Sequence, residues 1–115
     1  MIEIRMETKR LKLSVTGHAK AEENEDYAAI CTAVSTVAQG LAYTVSKMGK
    51  ALRSVQYRKD PGDLFLLAIP EDYAVPVARE KFKTYGDGLE MLAKAHPECV
   101  GMVWDGERII PEEEQ

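Results

Sequence analysis

Apolar and polar residues alternate at the start of the chain. Ile2, Ile4 and Met6 bracket Glu3 and Arg5, and Leu11, Leu13 and Val15 bracket Lys12 and Ser14. A period of two is the signature of half-buried strands, so "IEIRM" and "LKLSV" predict two strands joined by a short hairpin connection, "ETKR". From about Asp26 to Lys50 the period lengthens. Ile30, Val34, Val37, Leu41 and Val45 recur at steps of three and four, which predicts an amphipathic helix. Gly40 weakens that helix and Gly49 is placed to end it. "ALRSVQYR" and "LFLLAIP" predict two further strands around the turn "KDPGD", in which proline presets one backbone angle and glycine allows an unusual one. The second of these strands is almost wholly apolar, which predicts a place inside the sheet with both faces covered. A second helix is expected from about Val75 to His96, stopped by Pro97. Val77, Phe82, Leu89, Leu92 and Ala93 would form its apolar face, and "TYGDG" would bend or break it. "CVGMVW" predicts a last strand, "DGER" a turn and "PEEEQ" a frayed acidic tail.

The order is therefore β-β-α-β-β-α-β. It predicts an α+β, two-layer fold: two long helices on a mixed or antiparallel sheet of about five strands. No linker, repeat or low-complexity stretch divides residues 1–115, so one domain is expected. Fold class leaves function open.

Composition narrows the function classes. The net charge is −4 with a pI near 5.2, which argues against direct nucleic-acid binding through a basic field. No uninterrupted apolar run approaches the roughly 18 residues that cross a bilayer. The first ten residues, "MIEIRMETKR", lack the apolar core of a signal peptide, so no membrane partner and a cytoplasmic location are expected. In a reducing cytoplasm the two cysteines, Cys31 and Cys99, are expected as separate thiols.

Candidate chemistry gathers in the stretch from Ser14 to Val37. His18 follows Gly17 at the end of the second strand, and Cys31 lies early in the first helix, across the acidic loop. A cysteine nucleophile acts as its thiolate, which an adjacent histidine generates or stabilises. A helix N-terminus adds to this, but only within its first turn. A helix that starts at Asn24 or Glu25 would leave Cys31 nearly two turns in; one that starts near Tyr27 would bring it into range. Residue type alone leaves a second reading open, in which Cys31 is a small buried hydrophobe and His18 an ordinary loop histidine.

The segments "TGHA" and "CTAVS" resemble the ribosomal-processing cysteine protease family, Prp. In that family a Gly-His-Ala motif at a strand end precedes a Cys-x-x-Val-Ser motif opening a long helix; here these are Gly17-His18-Ala19 and Cys31-Thr32-Ala33-Val34-Ser35. The later "GLEMLAKAHPECV" is similar in layout. The resemblance implies a cysteine endopeptidase with a Cys-His pair and no metal or other cofactor. Cys31 would be the nucleophile and His18 the general base. It also implies a homodimer and a peptide substrate, the short N-terminal extension of a large-subunit ribosomal protein or a related phage protein. Gly17, Asp26 and Ser35 are expected to support the pair. Asp26 could orient His18 or serve as a helix N-cap, and Ser35, one turn after Cys31, could bond near the thiolate or back-bond to its own helix.

Two features depart from the family pattern. An aspartate is usual three residues before the cysteine, where this chain has Ala28, and the loop "KAEENEDY" is one residue longer and more acidic than expected. A negative lid would favour basic peptides. These departures suit a divergent or prophage-borne member, or alternatively a catalytically inactive dimeric binding module that retains the fold. Elsewhere the signals are weaker. His96 and Cys99, in "HPEC", lack the tight pairing of structural zinc ligands. They are expected as a helix-terminal residue and a strand core residue, and Trp104 at a hairpin edge.

Overall fold

The computed structural model describes residues 1–17 and 25–111, without the side chains of Glu25 and Asp26. Six strands form one mixed sheet: β1 (Ile2–Glu7), β2 (Lys12–Thr16), β3 (Leu52–Asp60), β4 (Asp63–Pro70), β5 (Val100–Trp104) and the two-residue β6 (Glu107–Arg108). Helix α1 spans Glu25–Ser46 and α2 spans Val75–Ala95. The strand order across the sheet is β3-β4-β2-β1-β5-β6. All pairs are antiparallel except β1 with β5, which run parallel. The expected α+β order is present, and the "DGER" turn ends in the extra strand β6.

Registry decides which side chains share a face. Ile4 pairs with Val15 and Met102, and Leu13 pairs with Leu66, so all five point to the same side and all are buried. The helices cover that side. From α1 come Ile30, Val34, Leu41 and Val45 of the expected stripe, together with Tyr27, Ala38 and Ala42, while Val37 is only half-buried. By length and composition alone, the Tyr27–Ser46 part of α1 could also span a membrane, and it is the single described helix of that kind. Its apolar stripe here is core against the sheet. Phe82, Leu89 and Ala93 of α2 are buried as expected, but Val77 is more than half exposed and Ala78 takes its place inside.

Two local expectations are corrected. "TYGDG" does not break α2, which is continuous from Val75 to Ala95. A Cβ on Gly86 would lie 2.6 Å from the Trp104 indole, so this glycine serves as a seat for the indole. Trp104 stands at the β5–β6 hairpin, as expected, paired with Glu107, and its indole packs on α2 at Gly86. The second concerns β4, which lies inside the sheet but alternates instead of being covered on both faces. Leu64, Leu66 and Ala68 are buried, while Ile69 is exposed and Phe65 and Leu67 are half-buried. The two helices cover only one side of the sheet. On the other, the Lys12 ammonium and the Arg58 guanidinium stand over the Phe65 ring, 5.7 and 5.2 Å from its centroid, so cationic side chains cover the ring face.

The β3–β4 connection is the tight turn that Pro61-Gly62 predicts. Asp60 pairs with Asp63 across it, and Gly62 has φ +90°, the glycine position of a turn with proline before it. Cys99 is buried just before β5, as expected of a core residue. His96 is the C-cap of α2, and its backbone N–H donates to the Leu92 carbonyl at 3.0 Å.

Candidate active site

A cleft of about 450 Å³ opens where β2 ends, β4 begins and α1 passes over the sheet. Its floor is apolar: Ile2 and Val15 from the first hairpin, Leu64 from β4, and Val34 and Ala38 from α1. Its polar wall comes from a single helix face. Cys31, Ser35 and Gln39 lie at i, i+4 and i+8, with Thr32 and Thr36 in the adjacent row, because residues four apart on a helix stand one above another. The opposite rim is the β3–β4 turn with Lys59, Asp60 and Asp63. The volume is of the size that holds a small ligand or a few peptide residues.

The structure brings three sequence-predicted residues to this cleft: Gly17, Cys31 and Ser35. Gly17 has φ +86°, and a Cβ built on it would stand 2.0 Å from the Met1 carbonyl oxygen. Both facts call for glycine, since L side chains are strained at positive φ and the Met1 backbone, just before β1, occupies the space. His18 and the acidic loop through Asn24 lie outside the described residues, as do the Asp26 side chain and residues 112–115. Ala28, which stands where the family has aspartate, is exposed on α1.

Because α1 begins at Glu25, Cys31 is more than a turn and a half into the helix. That places it beyond most of the helix dipole's reach. Cys31 is partly exposed and Cys99 is buried, and no disulfide joins them.

The hydroxyls along the wall divide into two kinds. Thr32 Oγ1 donates to the Ala28 carbonyl at 3.0 Å and Thr36 Oγ1 to the Thr32 carbonyl at 2.8 Å, so both are engaged by their own helix. Ser35 instead accepts a hydrogen bond from Gln39 Nε2 at 2.7 Å. Sequence reasoning missed Gln39 and the charged turn. The i+4 step from Ser35 could have marked Gln39, but nothing local ties residues 59–63 to Cys31.

No protein-family model and no curated protein matches the sequence. Solved structures do match its fold. SMU.848 from Streptococcus mutans aligns with a TM-score of 0.66 at 20% identity, covering 90% of each chain. The ribosomal processing protease Prp from S. aureus, in complex with a substrate peptide, aligns with a TM-score of 0.73 at 14% identity, covering 90% of this chain and 99% of that one. The same S. aureus protease with a covalently linked product peptide aligns with a TM-score of 0.66 at 16% identity. The protein therefore has the fold of the Prp ribosomal processing protease, at a sequence distance where fold is what the likeness establishes.

Proposed function

We propose that the protein is a cysteine endopeptidase that removes a short N-terminal extension from a large-subunit ribosomal protein or a related phage protein. It would act in the cytoplasm as a homodimer. The observation that carries this reading is the shared cleft: Cys31 lines it, and so does Gly17, the residue bonded to His18. A protein of the same fold holds a covalently linked product peptide, which supports nucleophilic chemistry for the fold.

In this reading His18 takes the Cys31 proton and the thiolate attacks the scissile carbonyl. The protonated imidazole then gives that proton to the leaving amine as the C–N bond breaks, leaving an acyl thioester. Water, deprotonated by His18, releases the acid and restores the thiol. Binding energy would come from the apolar floor and directionality from the polar helix wall.

The test is cleavage of a fluorescence-quenched peptide with an apolar-aromatic junction. His18→Ala is expected to lower kcat/KM by at least about 10²-fold, the lower end of general acid–base catalysis. Unchanged cleavage would remove His18 from the mechanism. Light scattering at micromolar concentration checks the dimer, which a monomeric mass would contradict.

A further inference from the structure

We propose that Gln39 is a positioning residue that aims the Ser35 hydroxyl proton into the cleft, where it bonds the carbonyl oxygen of the peptide as that oxygen becomes charged. The inference rests on the peptidase reading and adds to it a residue two turns from the nucleophile. Its basis is the division among the hydroxyls of one helix wall. Thr32 and Thr36 give their protons to carbonyls of α1. Ser35 instead receives one from the Gln39 amide at 2.7 Å.

A hydroxyl has one proton to donate and two lone pairs. With one lone pair held by Gln39 Nε2, the Ser35 O–H must point away from the amide. Ser35 and Gln39 both line the cleft, and among the described residues Ser35 Oγ has Gln39 Nε2 as its hydrogen-bond partner, so the cleft is the direction left to that proton. Cys31 stands one turn before Ser35 on the same face, with Cβ atoms about 5–6 Å apart at this helical spacing. When the sulfur bonds to a peptide carbon, the carbonyl oxygen lies within reach of a donor one turn along, where a hydrogen bond strengthens as charge develops. Gln39, two turns from the sulfur, acts in this arrangement through the Ser35 hydroxyl.

The experiment is a double-mutant cycle with Ser35→Ala and Gln39→Glu, read as kcat and KM on the quenched peptide. Glutamate is nearly isosteric with glutamine, but its carboxylate only accepts, so it would draw the Ser35 proton out of the cleft. Ser35→Ala is expected to lower kcat by roughly 10²-fold, as loss of one oxyanion donor does. Gln39→Glu should approach that loss with KM and melting temperature little changed. In the Ser35→Ala background Gln39→Glu should add almost nothing, whereas a purely electrostatic effect of the new charge would persist there. Full kcat in Gln39→Glu, or losses that multiply in the double variant, would overturn the proposal while leaving the peptidase reading standing. Cleavage that survives Cys31→Ser would instead sink that reading, and this proposal with it.

Discussion

Replacing Cys31 with serine is expected to abolish peptide cleavage, by a factor of at least about 10³, while the folded protein remains. The loss is large because a nucleophile cannot be partly replaced: without its attack no acyl-enzyme forms, and residual rate comes only from binding and oxyanion stabilisation. A serine hydroxyl at this place is a poor substitute. It is far less acidic than a thiol, and Cys31 sits too deep in α1 for the helix dipole to help. The cost to stability is small because Cys31 is partly exposed at a cleft wall and oxygen for sulfur is a minor change of volume. Thermal unfolding should move by no more than the few tenths of a kcal/mol usual for such positions. Cleavage that persists at a tenth of the original rate or more would place the chemistry on another residue. Equal loss of fold and activity would mean that the cysteine acts as core.

Gly17→Ala is expected to damage both the fold and the site. At φ +86° an alanine pays backbone strain of about 1–3 kcal/mol, and its Cβ would overlap the Met1 carbonyl oxygen. Relief requires moving the start of β1. The Ile2 N–H there donates to the Cys99 carbonyl at 2.8 Å, so the disturbance reaches the β1–β5 pairing. A drop in melting temperature of roughly 10 °C is the expected scale for a chain of this size. Activity should fall further than the unfolded fraction explains, because residue 17 lines the cleft and precedes His18 in the chain. A variant that melts like the parent and cleaves at the parental rate would show that neither the strain nor the placement matters.

Much of this architecture was legible in the residue pattern. Alternation located β1 and β2, the 3–4 spacing from Ile30 to Val45 located α1, and Pro61-Gly62 located the turn between β3 and β4. Each of these signals is local, generated by a backbone period or one dihedral preference. The misreadings had non-local causes. The apolar run Leu64–Ile69 carries no mark that only one face of the sheet would be covered. Gly86 looked like a helix breaker because the Trp104 ring that fills its place lies eighteen residues on.

The site divides the same way. Gly17, Cys31 and Ser35 were found through motif spacing and share the cleft. The start of α1 at Glu25 resolved what the sequence had left open, the distance of Cys31 from the helix end. Gln39 was within reach of the i+4 step from Ser35, but the Lys59–Asp63 turn acquires meaning only once β4 is paired with β2 beneath α1.

The central claim is that Cys31 is an activated nucleophile, and the rate of its alkylation by iodoacetamide at pH 7 tests it without any knowledge of the substrate. The thiolate is the reacting form, so the labelling of Cys31 in the native protein is compared with the same cysteine in urea-unfolded chain, with buried Cys99 followed alongside. The account predicts that native Cys31 reacts on the order of tenfold faster than its unfolded counterpart, and that His18→Ala removes the advantage. Native labelling no faster than in the unfolded chain, and indifferent to His18→Ala, would contradict it and leave the inactive binding module as the better description of this fold.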